Sequence, residues 1–299
     1  MVTEQRREAE MTRSEELEFI KAVGRKAGEI VLRYYHEDYA IEMKGEDDPV
    51  TVADHAANTF IVEQIRKTFP DDGILAEETT DDRSRLEKRR CWLIDPLDGT
   101  KEFINKNGEF SIMVALVEDH RPVVGMVYWP PMDKLYYAAK GFGAWLEHRG
   151  ERRRLHVSAT DRVEALKFIV SRSHRHPVIT EMLEVLGIQE EIPSGSGGIK
   201  IGRIAEQEAD LYLSFSAPGE RTTKVWDICA ADIILHEAGG RYTDLAGNLY
   251  RYNLEGIDNP GGILASNGVV HDEIVARILP ICQREGLFLS APEKGGKVE

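Results

Sequence analysis

Cysteine is scarce in this chain. Cys91, Cys229 and Cys282 are the only three in 299 residues, and none is spaced with another as a metal knuckle would be. A sparse, odd count excludes a disulfide framework, fits a reducing cytosol and reads as three small buried apolar side chains. Long apolar runs are missing too. No stretch approaches the roughly 20 residues that a bilayer span requires. The opening segment, MVTEQRREAEMTR, is polar and mixed in charge, without the apolar centre of a secretory signal, and reads as a disordered tail over residues 1–13. Positive charge is in deficit, with 38 Lys and Arg against 52 Asp and Glu, a net charge of −14. That balance counts against binding a nucleic-acid polymer. It leaves room for an anionic small ligand, because clustered carboxylates take up divalent cations and those cations reverse the local field. Internal repeats and low-complexity segments are also absent.

At 42% hydrophobic and 30% charged residues, the chain reads as globular, with no integral membrane segment and a cytoplasmic location. Its length allows one large domain or two ordinary ones. Leu17, Ile20, Gly24, Ala27, Val31 and Tyr34 recur at threes and fours and predict a long helix, opened by a capping box of Thr12 and Glu15. KGEDDPVT reads as a turn-rich break. A second helix is expected from about Ala53 to Phe69. Two short apolar runs, GILAEE and CWLIDPLD, then end in acids. Over 110–148, FSIMVALVE, PVVGMVYW, KLYYAA and GAWLEH predict an antiparallel meander, with Trp129, Tyr136, Tyr137 and Trp145 in its core. The style changes near Val157. Beyond it, the strand patterns LKFIVS, ADLYLSF, GRYTDL and GGILAS alternate with helical ones over 176–187, 199–207, 226–238 and 269–284, which suggests a layered α/β half. The division is therefore an amino-terminal α+β half over 14–156 and a carboxy-terminal α/β half over 157–299.

The chemistry lies in WLIDPLDGTKEF. Asp95 precedes Pro96, which keeps it extended at the end of a strand. Pro96 lacks an N–H, so the turn cannot wind into a helix that buries both acids. Asp95 and Asp98 can then converge with the Leu97 carbonyl between them. A helix could begin after Gly99 and Thr100, and its free N–H groups would suit a phosphate oxygen. Carboxylates and a carbonyl are hard oxygen ligands and point to Mg²⁺ rather than zinc. A lone DPLDGT is equally an acidic turn with a cap. Four further acids change that balance: Glu77 and Glu78 end the preceding strand, Asp54 opens the second helix, and Asp227 follows Trp226 at another helix start.

DDPVTVAD, AEET, DPLDGTKEF and WDICAADIILHEAGG follow the order and spacing of the inositol monophosphatase superfamily, and the chain resembles those Mg²⁺-dependent, lithium-sensitive phosphatases. The resemblance covers about residues 15 to 285. DGTKEFI, NGEFS and VSRSH are most similar to its 3′(2′),5′-bisphosphate nucleotidase branch. The resemblance implies a layered α-β-α-β-α sandwich. It implies Glu77, Asp95, Asp98, Asp227 and the Leu97 carbonyl as metal ligands for two or three Mg²⁺ ions, with Mn²⁺ as a substitute. Glu78 would orient a ligand or bound water, and Asp54 would accept a proton with the Thr100 hydroxyl. Asp48 is a lesser candidate beside that threonine. Glu77, Leu97, Asp98, Gly99, Thr100, His174, Lys200, Arg221 and Asp227 would meet the substrate. The implied reaction, placed in sulfur metabolism, turns adenosine 3′,5′-bisphosphate into AMP and phosphate, with a small phosphorylated metabolite as partner and a homodimer as an assembly left open. Inositol phosphate or fructose 1,6-bisphosphate hydrolysis is the neighbouring alternative. A binding protein on an inactive phosphatase fold is the alternative outside enzymes.

Three signals are weaker. SGSGGIK lacks the Gly-Lys-Ser/Thr ending of a phosphate loop and reads as a flexible helix start. His174 and His176 read as a surface loop rather than zinc ligands. The nucleotidase branch carries an arginine two residues after its ADLY-like segment, where this chain has Ser214. Arg221 and Lys224, in the longer loop that follows, are the cations available to replace it.

Overall fold

A computed structural model describes residues 11–37, 41–45, 48–172, 175–216, 220 and 222–286, with 41–45 and 48–50 described by their backbone alone. Helix α1 spans Arg13–Tyr35 and α2 spans Val52–Thr68. Each opens with a capping box, Thr12 with Glu15 and Thr51 with Asp54, which satisfies amide groups that the first turn leaves unpaired. Residues 1–10 of the expected tail lie outside the described residues. The segment read as a plain break carries a short antiparallel hairpin, β1 (Ile41–Gly45) with β2 (Asp48–Thr51).

A seven-stranded sheet follows in chain order: β3 (Gly73–Ala76), β4 (Arg90–Asp98), β5 (Ser111–Glu118), β6 (Arg121–Trp129), β7 (Lys134–Ala139), β8 (Gly143–His148) and β9 (Glu151–Arg154). Only β3 and β4 are parallel; every later pair is antiparallel. The expected meander is present and is longer by β9. Tyr136 and Tyr137 are fully buried in it, whereas Trp129 and Trp145 are only partly buried and sit at its margin.

The second half contains β10 (Phe168–Ser171), α4 (Pro177–Leu186), β11 (Glu191–Ser194), α5 (Gly197–Ala205) and β12 (Leu211–Ser214). It continues with α6 (Val225–Glu237), β13 (Arg241–Thr243), β14 (Ile263–Ser266) and α7 (His271–Arg284). A five-residue helix, α3 (Thr100–Ile104), lies in the first half. The second sheet has the order β11-β10-β12-β14-β13, with β10 parallel to both of its neighbours. No described helix is long and apolar enough to cross a membrane.

Three cores hold five layers together. Ile20, Ala27 and Ile61 of α1 and α2 pack on the outer face of the seven-stranded sheet against Trp92, Met126 and Tyr137. The inner face, with Met113 and Tyr136, meets Ile204 of α5 and Cys229 and Ile233 of α6, and this core continues to Tyr212 of the second sheet. Met182, Leu186, Ile274 and Ile278 of α4 and α7 cover the far face of that sheet. The layering is α-β-α-β-α, as expected. Helix α6 is apolar on nearly every side because it has a sheet on each side of it. All three cysteines are buried, and burial pushes the Cys91 thiol up to about 12.

Contact between α6 and the first sheet depends on Gly125 of β6. A Cβ there would collide with Ile233 Cγ2 and lie 3.1 Å from the Ala230 carbonyl oxygen. Gly125→Val should therefore lower unfolding free energy by about 1–3 kcal/mol, the usual cost of overpacking. Adding Ile233→Ala should restore part of it. Guanidinium denaturation checks both, and an unchanged midpoint for Gly125→Val would refute the close contact.

Candidate active site

Strand β4 does not stop at Asp95, as the proline suggested. It runs on to Asp98, and the register moves three residues from Asp95 to Asp98 while β5 moves two, from Met113 to Ser111. The extra residue forms a bulge, which bends a strand and re-aims its side chains. Pro96 sits in that bulge, where it interrupts no ladder that must donate. The Leu97 N–H turns back to Asp95 Oδ1 at 3.0 Å. Parallel pairing places Ala76 beside Ile94, and the Glu77 N–H continues the contact to the Ile94 carbonyl at 3.1 Å. Glu77 thus leaves the end of β3 next to the start of the bulge.

Asp98 is anchored from both halves of the chain. Its Oδ2 accepts from the Ser196 hydroxyl, from the Gly198 N–H at 2.8 Å and from the Ser111 hydroxyl at 3.2 Å. Gly99 then takes φ +96°, and a Cβ there would lie 3.0 Å from the Glu109 carbonyl oxygen, so the turn into α3 requires glycine. The Thr100 hydroxyl lies 3.2 Å from both Asp54 Oδ1 and the Leu97 carbonyl. Asp54 is buried, and its Oδ2 accepts from the Thr51 N–H at 2.8 Å and the Thr51 hydroxyl at 2.6 Å. Asp227 stands in the first turn of α6, where Oδ2 accepts the Lys224 N–H at 2.8 Å.

Glu77, Asp95, Leu97, Asp98, Gly99, Thr100, Lys200 and Asp227 line one cavity of about 570 Å³. Asp54 joins it through Thr100. Glu78 does not line it; its side chain is almost fully buried, with a carboxylate oxygen 3.8 Å from the His55 ring. Lys200 is buried, gives its ammonium to the Ser196 carbonyl at 3.1 Å and lies 5.3 Å above the Tyr212 ring. Ser214 lines the same cavity at the end of β12. His174 and Arg221, and the Asp48 side chain, lie outside the described residues. Lys224 is drawn into an ion pair with Asp258 and does not line the cavity, which argues against it as a replacement cation. The motifs leave Ser111 and Ser196 unassigned, and His176 reads as part of a surface loop. His176 proves to be the cap of α4: its Nδ1 accepts the Val178 N–H at 3.2 Å, and its ring packs 4.5 Å from Phe215.

Burial, then the charges of Glu77, Asp98 and Asp227, push the Asp95 carboxyl well above the ordinary carboxylate range. Among the described residues no three acids converge on one ligating point. They share a cavity instead, and Asp98 makes its hydrogen bonds on Oδ2 alone. A donor set of carboxylates and one carbonyl, repelling one another in a buried space, fits hard divalent cations.

A carboxyl whose pKa rises on folding costs stability at neutral pH, and the cost fades as pH falls through its folded value. Asp95→Asn keeps an acceptor for the Leu97 N–H and removes the charge. At pH 7 with chelator its Tm should exceed wild type, and millimolar Mg²⁺ should raise it less than it raises wild type. Near pH 4, the ordinary carboxylate range of about 3.9, the advantage should shrink. Thermal unfolding with and without Mg²⁺ checks each arm, and identical Tm values at pH 7 would refute the repulsion.

Comparison with known proteins agrees with this architecture. Residues 12–284 match the profile of the Inositol monophosphatase family. The chain is 39% identical over 249 residues to the 3′(2′),5′-bisphosphate nucleotidase CysQ of Salmonella typhimurium, covering 82% of this chain and 97% of that relative. It is 36% identical to the protein of the same name from Escherichia coli K12, with the same shares covered. Of solved structures, Thermotoga maritima IMPase superposes with a TM-score of 0.75 at 29% identity, covering 91% of this chain and 99% of that one. CysQ from Bacteroides thetaiotaomicron superposes with a TM-score of 0.70 at 32% identity, covering 84% and 96%. With its five layers and nearly its whole length matched, the chain belongs to the inositol monophosphatase family.

Proposed function

We propose that this protein is a Mg²⁺-dependent phosphomonoester hydrolase whose substrate is a 3′(2′),5′-bisphosphate nucleotide, adenosine 3′,5′-bisphosphate first. The observation that carries the chemistry is the Thr100 hydroxyl, which lies between Asp54 and the Leu97 carbonyl beside the acids of one cavity. The substrate class rests on relatives at 36–39% identity that bear the nucleotidase name.

Glu77, Asp95, Asp98, Asp227 and the Leu97 carbonyl would hold the divalent ions. When bound, such ions neutralise phosphate oxygens and lower the pKa of water. The chain's own residues do the rest. Thr100 accepts a hydrogen bond from the attacking water while giving its own proton toward Asp54 Oδ1. As the new P–O bond forms and the ester P–O bond breaks, the water proton moves to Thr100 and the Thr100 proton to Asp54. The leaving alcohol takes a proton from solvent. Asp54 is suited to this because its two oxygens divide the work: Oδ2 holds the Thr51 cap and Oδ1 faces Thr100. Lys200 contributes a fixed positive charge at the cavity wall for an anionic substrate.

One observation favours a second reading, hydrolysis of a singly phosphorylated substrate. Ser214 occupies the place of the expected arginine, and Lys224 is neutralised by Asp258. Phosphate release from adenosine 3′,5′-bisphosphate, inositol 1-phosphate and fructose 1,6-bisphosphate, each with Mg²⁺ and with chelator, decides between them. A kcat/KM highest for inositol 1-phosphate would overturn the nucleotide assignment.

Thr100→Ala should lower kcat by about 10²–10⁴-fold, the typical worth of a positioned proton carrier, with a much smaller change in KM. Steady-state kinetics checks it, and a near-normal kcat would remove Thr100 from the reaction. On the bisphosphate, Arg221→Ala should cost about 1.5–3 kcal/mol in kcat/KM, the range for a hydrogen bond to a charged group. Lys224→Ala should cost far less, because Asp258 already holds that ammonium. Equal losses from the two substitutions would contradict this division.

A further inference from the structure

Two motifs take no part in the proposed reaction. NGEFS contains Glu109 and Ser111, and SGSGG contains Gly195, Ser196 and Gly198. They come from different halves of the chain, and the fold brings them together at Asp98. Of the cavity-lining residues, Ser196 is the described non-glycine with a positive φ, at φ +48° and ψ 132°. That region is sparsely populated for an L residue, and strain of this kind persists where the surroundings impose it.

The surroundings are specific. Ser196 Oγ accepts the Ile199 N–H at 3.1 Å, lies 2.9 Å from Ser111 Oγ and donates to Asp98 Oδ2. The Gly198 N–H reaches the same carboxylate oxygen at 2.8 Å. The preceding residue is pinned in turn. The Gly195 N–H donates to Glu109 Oε2 at 2.6 Å, and Arg172 grips that carboxylate with two N–H groups at 2.8 and 2.9 Å.

We infer that Ser196 is the positioning residue for Asp98: its hydroxyl, with Ser111 and the Gly198 amide, fixes Oδ2 and leaves Oδ1 to the cavity, while Glu109 holds the turn in place through Gly195. This rests on the proposed reading of Asp98 as a metal ligand. Hydrogen-bond partners of metal ligands set ligand orientation, and their loss costs about 10–100-fold in metal affinity.

The test is calorimetric titration of the metal-free protein with Mg²⁺ alone, for wild type, Ser196→Ala, Ser196→Gly and Asp98→Asn. Ala removes the hydroxyl and keeps the backbone strain; Gly removes both. Both Ser196 variants should raise the Mg²⁺ Kd by about 10–100-fold. Loss of the α5 cap should lower the Tm in chelator, and Mg²⁺ should then raise the Tm of either variant less than it raises that of wild type, a difference that loss of the cap alone would not produce. Wild-type affinity in Ser196→Gly would overturn the role of the hydroxyl, and this variant serves alone if Ser196→Ala fails to fold. Loss of affinity in Asp98→Asn with none in either Ser196 variant would overturn the inference and spare the ligand reading. Unchanged affinity in Asp98→Asn would overturn both.

Discussion

Carboxylates repel, and a fold that brings Glu77, Asp95, Asp98 and Asp227 to one cavity must hold each by something other than mutual attraction. Backbone contacts help to hold all four. Glu77 is carried by the parallel pairing of β3 with β4, Asp95 by the bulge and the Leu97 N–H, and Asp227 by the cap of α6. Asp98 is held in addition by a distant segment, the turn into α5. The repulsion is then met by burial, which keeps Asp95 protonated further up the pH scale than a solvated acid. On the proposed reading of these acids, the site gives up stability to be ready for positive charge.

The same constraint accounts for the layering. The acids come from strand ends and helix starts, and these lie together only because α5 and α6 fill the space between the two sheets. One face of that filling is set by Gly125, which lets α6 approach the first sheet closely. The other is set by Tyr212 and Tyr242, which continue the core into the second sheet. Packing and chemistry therefore share α6, whose first turn carries Asp227 and whose body is core.

Much of this is legible in the chain, for identifiable reasons. Helix α1 declares itself by its capping box and its apolar spacing, and the meander by strand runs of ordinary length. Strand β11 does not, because Glu191–Ser194 is a short edge strand containing a proline, which only an edge tolerates. The β1–β2 hairpin fails for a similar reason, being short and polar. Pro96 misleads more instructively: a proline in an apolar run normally ends a strand, and here a bulge absorbs it. Within the site, the acids and Thr100 stand in local motifs. Ser196 does not announce itself, because its partner Asp98 is 98 residues away and only the closed fold makes them neighbours.

The central position of α6 also bears on the order in which the molecule can form. The seven-stranded sheet is complete in the growing chain by Arg154, yet the helices that cover its inner face, α5 and α6, span Gly197–Ala205 and Val225–Glu237. Until α5 and then α6 emerge, Met113, Val127, Tyr136 and their neighbours have no permanent cover. An apolar sheet face left open during synthesis is a surface on which chains associate with one another. The non-local contacts that close it bring a large loop-closure cost before they are rewarded. A truncated chain ending before Val225 would lack both Asp227 and the α6 part of the cover of its first sheet, so the incomplete product is prone to aggregate.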